Sequence, residues 1–268
     1  MKKLLFILVV VMLTGYSAVF AQNDDDSALD FPILEEGVVI TDEFGDGVFA
    51  RLYAFSGTEG DLVSVGMAPT QTSEVDPYLV LLGQDGQVYM TNDDAEAGSP
   101  RALIDSFELP ETGTYLVLAT AWDTRLDQSA AEESDRDLDY VIGIEGNNVP
   151  ANAPITISRG ELEIGMSGAL ELTGDAPIFY VMFPGEEGNV VTISAQSEDV
   201  DTLLYLFDEE GNRVAVNDDR QSGNLASAIE DFELPEDGNY LVFVMAFNFY
   251  EAYQDDIVDT GRVNFAVQ

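Results

Sequence analysis

Four oxygen-bearing residues recur as a set in this 268-residue chain. Asp76 is followed by Asn92-Asp93-Asp94, and 125 residues on Asp201 is followed by Asn217-Asp218-Asp219 at the same spacing. Three carboxylates and one amide are hard donors, and together they repel one another unless a cation neutralises them. Ca2+ suits such a set, because it accepts about six to eight oxygens in flexible geometry. The set lacks the D-x-[DN]-x-[DN]-G spacing of an EF-hand. A bland reading stands beside the metal: Asn and Asp are common in turns, where they cap backbone groups. One copy would leave the two readings level, and retention of all four residues in both copies favours the metal.

Other chemistry is narrowed by what the chain lacks. It has no His and no Cys, and its only lysines are Lys2 and Lys3. A transition-metal site of the usual kind is therefore excluded, as are the common nucleophile–base pairs. The residues 257–261 (IVDTG) imitate an aspartic-protease signature, but only seven residues follow and the first copy has no second Asp-Thr-Gly. The expected role is a turn into the last strand. A glycosidase needs only two carboxylates, and among 51 acids no pair is singled out. The chain is expected not to be an enzyme, with a carboxylate-pair hydrolase as the remote alternative.

The acids must be positioned by strands. Residues 76–94 read DPYLVLLGQDGQVYMTNDD, and Asp85-Gly86 signals a hairpin turn. A two-residue turn puts Asp76 opposite residue 95; a looser one puts it opposite Asp93 or Asp94. With strands about 4.8 Å apart, either register brings Asp76 beside the Asn92-Asp93-Asp94 oxygens. The two copies agree within this stretch at Asp76, Leu79, Leu81, Gly86, Asn92, Asp93 and Asp94. A longer match follows, FELPETGTYLV at 107–117 and FELPEDGNYLV at 232–242. Its Pro and Gly shape a turn, and Tyr115 and Tyr240 are expected to open buried strands with their hydroxyls tethered.

A self-similarity of this period describes a domain used twice. Residues 1–21 carry a basic start, an apolar run and a Val19-Phe20-Ala21 ending, the pattern of a cleaved signal peptide. Residues 22–33 form an acidic leader, 34–146 the first module, 147–157 a linker and 158–268 the second module. Short β-prone runs lie at 63–67, 78–82, 87–90, 115–119 and 140–144, and again at 190–194, 203–207, 213–216, 240–244 and 262–267. With no helical period between them, they predict an all-β chain of two tandem antiparallel β-sandwich domains. Runs apolar at every position, such as 78–82, are expected to pack on both faces or against the neighbouring module.

Without residues 1–21 the chain holds eight Arg against 51 Asp and Glu, a formal charge of −43. That sign disfavours nucleic acid, and no later stretch is long and apolar enough to span a bilayer. Trp122, Phe247, Phe249, Tyr250 and Tyr253 cluster near corresponding strand ends and form a possible ligand surface, or else cap the core.

The ordered motifs GDLVSV (60–65), DPYLVL (76–81), DG (85–86), NDD (92–94) and LPETGTY (109–115) resemble the bacterial pre-peptidase C-terminal domain, and the second copy is similar through 188–193, 201–206, 217–219 and 234–240. The resemblance implies a compact jelly-roll-like β-sandwich. It also implies kinship with the collagen-binding modules of secreted bacterial collagenases, some of which hold Ca2+. The Ca2+ positions it implies are Asp76, Asn92, Asp93 and Asp94, with Asp201, Asn217, Asp218 and Asp219. The chain departs from the family pattern in carrying no peptidase domain beside the modules. The function expected is a secreted, non-catalytic, Ca2+-stabilised module for an extracellular protein or polysaccharide, with a metal-independent acidic scaffold as the alternative.

Overall fold

The computed structural model describes residues 29–45, 49–122, 137–147, 157, 160–174, 176–218, 225–249 and 258–268. The first module contains β1 (Val39–Glu43), β2 (Ala50–Gly57), β3 (Leu62–Pro69), β4 (Pro77–Gly83), β5 (Val88–Asn92), β6 (Ala102–Glu108), β7 (Gly113–Ala121) and β8 (Asp139–Glu145). The second contains β9 (Gly160–Glu161), β10 (Met166–Leu172), β11 (Ile178–Gly185), β12 (Val190–Gln196), β13 (Thr202–Phe207), β14 (Arg213–Asn217), β15 (Ser227–Glu233), β16 (Gly238–Ala246) and β17 (Gly261–Val267).

Sheets β1-β8-β3-β6 and β2-β7-β4-β5 face each other in module one, and β10-β17-β12-β15 and β14-β13-β16-β11-β9 do so in module two. Each is a jelly roll, and the pairings are antiparallel except for the short β9 beside β11. The all-β sandwich expected from the sequence is the fold. No described helix is long and apolar enough to cross a membrane.

Alternation within the strands explains the layers. In β3, Val63, Val65 and Met67 are buried while Ser64 and Gly66 face outward. In β4 every residue is buried, because Leu79 and Leu81 fill the module's own core while Tyr78, Val80 and Leu82 point the other way. That second face meets Tyr180, Tyr205, Phe207 and Phe243 of module two. The two inner sheets therefore share a third core, and the molecule is a stack of four sheets.

The hairpin turns lock this seam reciprocally. Gly86 lies against the Ile178 carbonyl, where a Cβ would come within 2.0 Å of the oxygen, and Gly211 lies against the Leu52 carbonyl at 2.8 Å. Both glycines have positive φ, 87° and 84°, so only glycine satisfies the turn and the close approach together. Leu52 N–H donates to the Gly211 carbonyl at 2.8 Å, and the Tyr180 hydroxyl donates to the Gly83 carbonyl at 3.3 Å.

The end of the acidic leader also belongs to the seam. Leu29, Phe31 and Ile33 pack against the shared core. Asp30 N–H donates to the Glu209 carbonyl at 2.9 Å, and Ala54 N–H to the Pro32 carbonyl at 3.0 Å. The physical reason is the period-two apolar alternation within an otherwise polar stretch. Of the linker, Asn147 and Ile157 are described and both are buried.

Phe243 is fully buried and contacts the rings of Tyr180 and Phe207, its neighbours on the face that module two turns to the shared core. Phe243→Ala is expected to cost about 3–5 kcal/mol and to lower one common unfolding transition of both modules, read by calorimetry. Two transitions, of which only one shifts, would refute a shared core.

Candidate functional site

The hairpin ends are built alike in the two modules. Asp76 stands exposed before β4, and its carbonyl accepts the Trp122 N–H at 2.7 Å; the Asp201 carbonyl accepts the Phe247 N–H at 2.7 Å. Leu79 pairs with Asn92 and Leu204 with Asn217. Continuing that register sets Asp76 level with Ala95, the first of the two alternatives raised by the sequence. The turn itself is looser than two residues: Gly83 N–H donates to the Gln87 carbonyl at 2.7 Å. A register shift between Leu81 and Leu82 restores the outer pairing.

Because Asn92 shares a face with core-facing Leu79, its side chain reaches across the sandwich. Its Oδ1 accepts the Leu103 N–H of β6 at 2.7 Å, and Asn217 Oδ1 accepts the Ala228 N–H of β15 at 2.8 Å. Each Asn thus ties the end of an inner sheet to an outer sheet. Asp94 Oδ2 accepts the Gly98 N–H at 3.0 Å, capping the following loop. Asp93 and Asp218 are half-buried, and Asp219 lies outside the described residues.

The tightest acidic group is elsewhere. Among the described residues, Asp208, Glu210 and Glu236 bring three carboxylate oxygens within 4.8 Å of one another, whereas Asp76, Asp93 and Asp94 do not form such a trio. Asp208 is buried just beyond β13 and accepts the Asn212 N–H at 2.7 Å and Nδ2 at 2.9 Å. Burial pushes its carboxyl up, against the pull of the Asn212 bonds. Glu236 is exposed, and is pushed up by burial and then by Glu210 and Asp208. The corresponding positions of module one are Gly83, Asp85 and Glu111, so this trio belongs to module two alone. No spacing in the sequence announces it.

A second polar cluster lies within module one. Arg51 pairs with Asp42, whose Oδ2 also accepts the Tyr53 hydroxyl at 2.7 Å, and the Tyr53 and Tyr140 hydroxyls lie 2.7 Å apart. Burial and the neighbouring Asp42 push both phenols well above their ordinary range. They are held protonated, which suits a cross-sheet tie and not a nucleophile.

The described members of the aromatic cluster pack against the shared core. Trp122 and Phe247 are half-buried against the shared core, and Trp122 tilts on Tyr78 with centroids 5.6 Å apart. Phe249 is fully buried in that core, so it is removed from the expected ligand surface; its apolar ring closes the seam. Tyr250 and Tyr253 lie outside the described residues. Tyr115 and Tyr240 donate their hydroxyls to the Glu111 and Glu236 carbonyls at 2.7 and 2.9 Å, the tethered arrangement expected.

No family model and no curated protein matches the chain. Among solved structures it is similar to the pre-peptidase C-terminal domain of a collagenase from Bacillus anthracis, with 17% identity and a TM-score of 0.34, over 44% of this chain and 99% of that one. It is also similar to a candidate secreted protein from Eubacterium rectale, with 8% identity and a TM-score of 0.29, over 88% of this chain and 78% of that one.

Two outcomes follow from the geometry. Asn92→Ala leaves the Leu103 N–H without its partner and should cost about 1–3 kcal/mol, measured by urea unfolding; a neutral result would deny the cross-sheet tie. Within the trio, the folded carboxyls of Asp208 and Glu236 titrate above their unfolded values, so their protonation favours the fold. Stability should fall as pH rises through the raised values. Glu210→Gln/Glu236→Gln should raise the melting midpoint at pH 7, with the gain fading near pH 4. A pH-independent gain would contradict this.

Proposed function

We propose that the chain is an exported, non-catalytic pair of β-sandwich modules that binds an extracellular protein or polysaccharide and takes Ca2+ at its two hairpin ends. The observation that carries this reading is the rebuilding of one hairpin end in both modules. The Asp76 and Asp201 carbonyls are held by Trp122 and Phe247, and Asn92 and Asn217 are anchored to the outer sheets. The carboxylates of Asp76, Asp93 and Asp94, and of Asp201, Asp218 and Asp219, would be the ligands. Bound Ca2+ would neutralise like charges and join the segment before β4 to the segment after β5, so that folding is linked to the metal. The formal charge of −43 on the exported chain supports uptake of a divalent cation.

A metal-independent scaffold is the second reading. The oxygen bonds already made by Asn92 and Asp94 to backbone N–H groups favour it.

Thermal unfolding of the exported chain in EDTA and in millimolar Ca2+, at matched ionic strength, separates the two. Ca2+ at about 100 times its Kd would add about 2.7 kcal/mol per site, and Asp76→Ala/Asp201→Ala should abolish the gain. No shift, or an equal shift with Na+, would leave the scaffold reading standing.

A further inference from the structure

The outward face of sheet β1-β8-β3-β6 carries a groove of about 780 Å3. Across its floor runs one row of paired residues, Val39, Gly143, Gly66 and Leu103. Two adjacent glycines form the bottom. Val39, 65% exposed, and Leu103, 37% exposed, form the walls. Three strand spacings separate the walls, about 14 Å, which is the width of one polypeptide and not of a globular face.

Glycine inside a strand is unfavourable by about 0.5–1 kcal/mol relative to alanine, and it often marks close approach of another backbone. Gly143 has an internal reason, because a Cβ there would sit 3.1 Å from the Val38 carbonyl. Gly66 has none. Its φ is ordinary for a strand, and an added Cβ would meet only Leu103 Cδ1, at a comfortable 3.7 Å. What Gly66 keeps open is the space above the sheet. The equivalent row of module two reads Ser167, Ala266, Ser194 and Ala228, so the duplicated scaffold has diverged here and the groove belongs to module one.

Charge selects the occupant. Glu96 and Glu145 stand exposed on the groove and Arg101 is its cation, within a chain of net charge −41. A second copy of this chain is repelled. Among the described residues, no aromatic ring lines the groove on which a sugar could stack. We infer that the groove docks a lysine- or arginine-bearing polypeptide segment, with apolar side chains over Gly66 and Gly143 and cations toward Glu96 and Glu145. The inference rests on the reading of the chain as a binding module, on a face that does not require Ca2+.

The test is fluorescence anisotropy of the exported chain with a labelled octapeptide of alternating Val and Lys, run in EDTA so that failure of the Ca2+ reading leaves the result untouched. Saturable binding is expected, weakened about tenfold or more by Gly66→Val at an unchanged melting midpoint. Leu103→Ala, which removes a wall without filling the floor, should also weaken it. Ser194→Val, at the equivalent position of module two, should bind like the parent. Glu145→Gln should reduce the salt dependence. The proposal is overturned if binding is absent, if Gly66→Val and Leu103→Ala both bind like the parent, or if a Val–Glu octapeptide binds equally well.

Discussion

The arrangement of this molecule depends on an apolar surplus that one sandwich cannot bury. The central strands of each inner sheet are hydrophobic on both faces, and a sandwich covers only one of them. The second face must find a cover or stay wet, at about 25 cal/mol for every square ångström exposed. Packing the inner sheets together removes both surpluses at once. The leader is recruited to the rim of the same core through Phe31, and Phe249 is drawn into it from the C-terminal side.

That demand explains which features were legible in the sequence. The unbroken run at 78–82 announces two-sided burial, and β4 and β13 fulfil it. The glycines at 86 and 211 are readable as turn residues, but their contact with the opposite module is not, because the partner is a backbone carbonyl far along the chain. The same limit hid the work of Asn92 and Asn217. As residue types they read as metal donors, whereas the bonds that hold them run to backbone N–H groups of another sheet. Asp208 and Glu236 are 28 residues apart with no motif between them, and only the packing of a turn against a strand entry joins them. Leu29, Phe31 and Ile33 alternate plainly, yet the acidic composition around them masks the pattern.

Two cations lie within the anionic shell. The surface is overwhelmingly anionic, while Arg213 is almost wholly buried, its guanidinium 4.7 Å from the Tyr205 ring centre. Arg51 is half-buried beside Asp42, near the bridge from β2 to Asn212. Two of the chain's eight arginines thus sit at or beside the seam between modules. Most like charge stays outside, where water and salt screen it; these two arginines place positive charge where the dielectric is low and position matters more, while Arg101 and Arg262 are exposed.

The shared core sets an order of events during biosynthesis. The chain emerges N-terminus first, and a domain can fold only once its strands are available. Module one can close its own sandwich early, but Tyr78, Val80 and Leu82 then lie uncovered until β16, near the far end of the chain, has been made. Over that interval the nascent protein displays a flat hydrophobic sheet to every neighbour. Its handling during synthesis, by chaperone or by delayed release, therefore bears on its yield as much as the equilibrium stability of the finished stack.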